Sequence, residues 1–279
     1  MLDGFINLNK NSGMTSHDAV NKVRKIFQTK KVGHGGTLDP MATGILPIAV
    51  GQATKFIEYI SDCSKTYRAE ILFGIETDSG DITGKIIREE KIFMPSIEEF
   101  KSATKNFIGE IEQSPPKYSA IKINGRKAYD MARKNIEFEM PRRLVTINRF
   151  EILSVEENIL TVEVDCKKGT YIRSLAVDFG KKINLPATLK SLNRIRVGKF
   201  FIDDAVNIEN LTENDIKSVE SCIEFEKFNL PSHRLKAYLN GLPTNINEEN
   251  KLVKVYAEGK FLGVGKIENK ELRSAKIFH

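Results

Sequence analysis

Gly33, Gly35, Gly36, Pro40 and Gly44 interrupt the chain just before the apolar run Ile45–Val50. Glycine permits positive φ and close backbone approach, and proline fixes φ and removes a donor. No regular helix or strand crosses such a stretch, and a long irregular segment within a folded domain is usually functional or disordered. Disorder fits poorly, because Leu38, Met41, Ile45, Leu46, Ile48 and Val50 need a place to be buried. The expectation is an ordered loop, packed by its own apolar residues, that presents one imidazole, His34, and one carboxylate, Asp39. A nucleotide-binding P-loop is excluded, since no Gly-Lys-Ser/Thr follows at the required spacing. Asp39 precedes Pro40, and an Asx-turn or a local cap explains that pair as readily as chemistry does.

A chain of 279 residues suggests about two domains, and 41% hydrophobic with 29% charged residues is an ordinary globular mix. The formal charge of +6 permits a polyanionic partner without requiring one. Cys63, Cys166 and Cys222 are scattered and form no CxxC pair, so neither a disulfide framework nor a zinc site is expected. The four histidines are equally dispersed. Phe5–Leu8 is too short for a signal-peptide core, and no run approaches the roughly 20 apolar residues of a membrane helix. These features lead to the expectation of a cytoplasmic protein, monomeric, away from membranes, with no metal and no cofactor.

Phe5–Leu8 reads as a short strand, and Ser16, or else Thr15, as the cap of a helix with Ala19, Val20, Val23, Ile26 and Phe27 on one side. A short helix is expected over Thr54–Ile60, and a half-buried strand over Lys65–Phe73, where Tyr67, Ala69, Ile71 and Phe73 alternate. Ser96 starts a helix through Phe107 anchored by Ile97, Phe100 and Phe107. Pro115-Pro116 enforces an extended path, and Asn124-Gly125 marks a turn after strand-like Ala120–Ile123. The basic stretch Gly125–Ile136, with Arg126 and Lys127, reads from residues alone as a charged surface insertion. Val145–Val155 and Leu160–Cys166 form a strand pair, followed by a helix over Tyr171–Ile183. Arg173 falls in its first turn, off the apolar side. Cations are unfavourable there, so it either meets an anion or is solvated. Ile208 to about Phe228 loses periodicity and is read as a linker. Beyond it, short strands separated by glycine turns suggest a small β-barrel.

GHGGTLDPMATGILPI, GFINLNKNSGMTS, the Lys65-Thr66-Tyr67 segment, GIETDSGD, PPKYSA, KGTYIR and the Leu189–Arg194 segment occur in order along the chain. Together they resemble the motifs of the TruB family of tRNA pseudouridine synthases. The C-terminal run KVYAEGKFLGVGKIENKELRSAKIF resembles a short PUA domain, an RNA-binding appendage. The resemblance implies an α+β fold. A pseudouridine synthase catalytic domain over residues 1–228 would hold a mixed, largely antiparallel sheet flanked by helices, with a PUA-like β-barrel over 229–279. It implies isomerisation of uridine 55 in the TΨC arm of tRNA, with base flipping and no cofactor.

On the matching positions the resemblance makes Asp39 the essential catalytic residue, Tyr67 the ring that stacks on the base, and Arg173 the partner of Asp39. Leu192 would line the uracil pocket, and His34 would help hold the extruded segment. Lys10 would contribute to substrate binding, although Asn11 replaces the family's proline and Asn9 its usual aspartate. Arg126 and Lys127 would lie in the segment that inserts into the tRNA loop. The plainer readings are core packing for Tyr67 and Leu192. A non-catalytic RNA-binding protein, or an enzyme acting on a messenger stem-loop, are the alternatives of function.

Overall fold

Two half-sheets meet along one short seam, and the irregular loop leaves the chain there. The computed structural model describes residues 2–119, 121–134 and 136–278. In chain order the principal strands are β1 (Gly4–Lys10), β2 (Val32–His34), β3 (Thr43–Val50) and β4 (Lys65–Phe73), then β5 (Gly109–Gln113), β6 (Arg143–Glu156), β7 (Ile159–Cys166) and β8 (Ala187–Val197). The principal helices are α1 (Ser16–Ile26), α2 (Ile97–Thr104), α3 (Ala128–Arg133) and α4 (Ile172–Lys182). The main sheet runs β1-β3-β8-β4-β7-β6-β5, with β2 paired to β3 and Val206–Asn207 on the outer side of β1. Most pairs are antiparallel. The β3–β8 seam is parallel and only two residues long, Asn193 facing Thr43 and Arg194 facing Gly44. At Gly44, where φ is +99°, a Cβ would stand 2.3 Å from the Arg194 carbonyl oxygen, so only glycine lets the strands meet.

The alternation expected over Lys65–Phe73 holds: Tyr67, Ala69, Ile71 and Phe73 are all buried. Thr15 caps α1 in a reciprocal capping box with Asp18, and Ala19, Val20 and Val23 pack on the sheet. Ser96 caps α2 in the same way, but Ile97 is 36% exposed and is no anchor. Phe100 and Phe107 are, joining Phe73, Phe150 and Phe179 in a cluster of rings with centroids 5.3–6.4 Å apart. Phe179 touches all four others and carries α4, whose first turn bears Arg173. The helix expected over Thr54–Ile60 is split into a 3₁₀ turn, Gly51–Phe56, and a single α turn, Ile57–Ser61. Lys122–Ile123 and Arg126–Lys127 form a hairpin across Asn124-Gly125, both at positive φ as a tight primed turn needs. The start of the strand expected there, Ala120, lies outside the described residues, as does Asn135 in the basic stretch.

The stretch expected to be a linker is instead packed. Ile208, Leu211, Val219, Cys222 and Ile223 are buried, and Ile216–Lys217 pairs with β1. Its apolar residues sit on short 3₁₀ turns, a two-residue strand and a four-residue helix, Val219–Cys222, which leave no period to read. The C-terminal sheet has five strands: β9 (Glu226–Asn229), β10 (Thr244–Asn245), β11 (Lys251–Ala257), β12 (Lys260–Glu268) and β13 (Glu271–Ile277). Their order is β9-β11-β12-β13-β10, curled into a half-barrel of PUA-like form. β9 straddles the boundary expected at residue 228. Phe261 and Phe278 pack on Phe56, Phe225 meets Tyr59 edge-on, and Val264 belongs to the same apolar cluster as Phe5.

Phe179→Ala should cost about 3–5 kcal/mol, because it opens a cavity among four rings that cannot all collapse into it. Urea unfolding measures this, and a loss below about 1 kcal/mol would show that the rings do not share one core.

Candidate active site

Beyond Gly35, whose N–H donates to Pro47 O on β3 at 2.8 Å, the loop Gly36–Ala42 lacks strand partners, so its backbone groups must be satisfied otherwise. The N-terminal segment supplies much of what they need. Gly13 N donates to Pro40 O at 2.8 Å, and the Ser16 hydroxyl accepts from Leu38 N at 2.9 Å and donates to Leu38 O at 3.1 Å. Ala42 N closes a turn onto the Asp39 carbonyl at 3.1 Å. The Asp39 side chain is thereby left to point outward, and it neither caps nor forms an Asx-turn.

Arg173 meets it there. Its Nη2 donates to Asp39 Oδ1 at 3.2 Å, and its Nε lies 2.8 Å from Oδ2 as an ion-pair contact. The Nε–H is out of line for a hydrogen bond to that oxygen. The arginine side chain is 5% exposed and the aspartate 32% exposed, so the carboxylate keeps one face open while its counter-ion is buried. Carbonyls of Ser79 and Tyr118 and the carboxylate of Asp81, 3.6 Å from Nε, complete the arginine's surroundings. The solvated-arginine reading is thus excluded. Gln113 grips the Tyr171 backbone just before α4 with both amide groups, at 2.8 and 3.1 Å, which holds the first turn in place.

Asp39, Tyr67, Arg173 and Leu192 line one cavity of about 410 Å³. Tyr67 and Leu192 come from the adjacent strands β4 and β8, with Leu192 opposite Ala69 and Arg194 opposite Tyr67. Both are core residues and cavity walls at once, each 7% exposed. Burial pushes the Tyr67 phenol above its ordinary value, and Arg194 opposes this only in part. Lys65, Arg143, Lys168 and Arg194 also reach the cavity, whereas Asp39 is its one carboxylate among the described residues. Such a wall suits an anionic ligand. Among the described residues no group of three or more His, Cys, Asp or Glu is placed to hold a metal, and all three cysteines are free.

The remaining expected residues lie elsewhere. Lys10 is only 1% exposed and does not reach the cavity; it is a brace beneath the loop, donating to the carbonyls of Asn11, Met14 and Pro40. Burial holds its ammonium down at about 8, against the pull of Asp39. His34 ends β2, its Nδ1 buried without a partner, and burial lowers its pKa. Arg126 and Lys127 are exposed on the hairpin, away from Asp39, although Lys127 lies 5.6 Å from the ring centroid of Tyr129, a cavity residue. Sequence reasoning passed over Lys65, Arg194, Tyr118 and Asp81. Within GIETDSGD, named above only as one of the motifs, the Ser79 carbonyl and the Asp81 carboxylate face Arg173.

A model of the TruB family pseudouridylate synthase N-terminal domain matches residues 24–172. The chain is 42% identical over 290 residues to tRNA pseudouridine synthase B of Clostridium perfringens strain SM101, covering 99% of both. The chain belongs to the TruB family. It is 40% identical over 283 residues to tRNA pseudouridine synthase B of Caldanaerobacter subterraneus subsp. tengcongensis, again covering 99% of both. Its fold also matches a chain in a structure of an H/ACA RNP bound to a substrate RNA containing 2′-deoxyuridine, with a TM-score of 0.74 and 22% identity. That match covers 99% of this chain and 85% of the other. As a TruB-family member the chain is a pseudouridine synthase.

Lys65 supplies a check on the cavity's dryness. Its Nζ donates to Ser61 O at 2.8 Å and Cys63 O at 2.6 Å, and burial, reinforced by Arg194, lowers it from 10.5 to about 8. Between those values the unfolded chain binds more protons than the folded one, so this group's contribution to stability rises with pH across the window. Below it, the lysine is charged in both states and its contribution is least favourable. Wild type should therefore gain thermal stability relative to Lys65→Met as pH rises from about 8 to about 10.5. Parallel curves in calorimetry would mean that the ammonium reaches water.

Proposed function

We propose that this enzyme converts uridine 55, in the TΨC arm of tRNA, into pseudouridine, with Asp39 acting directly at the reacting sugar. That a uridine of tRNA is isomerised is supported by 40–42% identity over nearly the whole chain to enzymes named tRNA pseudouridine synthase B. The observation that carries the role of Asp39 is a lone carboxylate, half open, anchored by a buried arginine and facing Tyr67 and Leu192. The volume of about 410 Å³ suits a single nucleoside. Phosphate contacts from the exposed lysines and arginines, including Arg126, Lys127 and those of the C-terminal sheet, supply most of the affinity.

The uridine first leaves its stack, at a cost of a few kcal/mol. Leu192 and the Tyr67 ring then enclose the base, and exclusion of water protects it once detached. The N1–C1′ bond breaks, the base turns, and C5 bonds to C1′. The reaction ends with C5 having lost a proton and N1 having gained one. Adding to C1′ and taking the 2′ proton are both open to a carboxylate in this place. Because burial keeps Tyr67 protonated, its hydroxyl can take the C5 proton only while passing its own on.

Asp39→Asn should abolish pseudouridine formation and leave tRNA affinity within a few-fold. The fold should survive, because Arg173 keeps Asp81 and two carbonyls. Multiple turnover by this variant, followed by nucleoside analysis, would remove Asp39 from the chemistry.

Tyr67→Phe separates ring from hydroxyl. Stacking is worth about 1–3 kcal/mol and needs no hydroxyl, whereas a proton-handling hydroxyl contributes about a hundredfold or more. Near-native tRNA affinity with a hundredfold lower single-turnover rate is expected. A native rate would leave Tyr67 as a platform alone.

A further inference from the structure

Two buried cations remain at the cavity wall once the Asp39–Arg173 pair is accounted for. Lys65 is 7% exposed and Arg194 1%. Among the described residues neither donates a hydrogen bond to a carboxylate: Lys65 donates to the carbonyls of Ser61 and Cys63, and Arg194 to those of Ile45, Gly36 and Thr37 and to the Tyr67 hydroxyl. The acidic group nearest Lys65 in sequence, Asp62, is committed to Lys168 at 2.8 Å. Cys63, Cys166 and Arg194 complete the titratable and charged groups around the ammonium. Buried charges are ordinarily paired, because desolvation without a counter-ion is costly. Two such charges side by side make sense where a negative charge arrives during turnover.

Their position fits that arrival. Lys65 precedes Tyr67 by two residues and shares its face of β4, while Arg194 is the cross-strand partner of Tyr67 on β8. Both line the cavity that holds Asp39. Two of the three ammonium protons of Lys65 are taken by carbonyls, so one is left for a ligand.

We propose that Lys65 and Arg194 are catalytic residues that hold the negative charge of the uracil after the N1–C1′ bond has broken. This rests on the reading of the chain as a uridine isomerase. The bond breaks with both electrons leaving on N1, so the base becomes an anion delocalised over its ring and carbonyl oxygens. Asp39 answers the electron deficiency at C1′, by bonding to it or by taking the 2′ proton. When C5 joins C1′, the anion's electrons form the new bond, any bond from Asp39 is released or the 2′ proton returned, and the later C5-to-N1 proton shift leaves an isomer. No co-reactant is consumed. Cations fixed in place beforehand stabilise such a charge without reorganising.

The test uses the leaving group. Fluorine at C5 withdraws electrons and makes the base a better leaving group, so loss of a stabilising cation should matter less for RNA carrying 5-fluorouridine. Lys65→Gln keeps a donor for the carbonyls without the charge, Lys65→Met removes both, and Lys65→Arg keeps the charge. Single-turnover loss of the N1–C1′ bond is followed by nucleoside analysis on tRNA transcripts carrying uridine or 5-fluorouridine. Lys65→Gln should slow the uridine reaction roughly a hundredfold, the scale of a lost oxyanion donor. It should slow the fluorinated one less than tenfold, with RNA affinity within a few-fold and Lys65→Arg closer to wild type. Equal losses on both substrates, in whichever of the Gln or Met variants folds, or no loss at all, would overturn the proposal. Wild-type protein that makes no pseudouridine would overturn the isomerase reading beneath it.

Discussion

One buried guanidinium ties the two half-sheets to the loop between them. Arg194 springs from β8, and its three donor nitrogens reach the carbonyls of Ile45 on β3 and of Gly36 and Thr37 in the loop. A stretch without strand partners leaves its carbonyls in need of donors, and water cannot supply them in a buried place. The charge that makes Arg194 awkward in a core is what makes it a strong donor to three carbonyls at once. Lys10 repeats the device from the other side, through Pro40. The loop is ordered by donors placed under it as well as by its own buried apolar residues, Leu38 and Ala42 among them.

The seam decides where the chemistry sits. Asp39 comes from the half built on β1 and β3, whereas Tyr67, Leu192 and Arg173 come from the half built on β4, β8 and α4. The Asp39–Arg173 pair therefore spans the seam, and the geometry of the site depends on how closely the halves approach. That approach is set at Gly44, where no side chain fits. A methyl group at this position would act on Asp39 from a distance by pushing β8 away.

Much of this was legible because it is periodic or punctuated. The β4 alternation, the Thr15 and Ser96 caps and the Asn124-Gly125 turn each follow from local rules, and the structure keeps them. Asp39, Tyr67, Arg173 and Leu192 converge where the motif resemblance led one to look. What escaped was set by tertiary contact. Nothing local distinguishes Lys65 or Arg194 from a solvated cation, because their burial is decided by strands far away in sequence. Lys10 was misplaced for the same reason. Ile208 to about Phe228 read as a linker because its turns and its four-residue helix are too short to show a period, and pairing of Ile216–Lys217 with β1 ties the stretch to the sheet.

The rings joining the C-terminal sheet to the rest have a thermodynamic consequence. Phe261 and Phe278 share an apolar cluster with Phe56, and Val264 shares it with Phe5 on β1. Neither sheet can open without exposing surface that the other covers. The two should melt as one cooperative unit, and weakening the tail's core lowers the population of intact active sites as well. Conversely, any ligand gripped by the tail stabilises a carboxylate it never touches. In this molecule, stability is communal property.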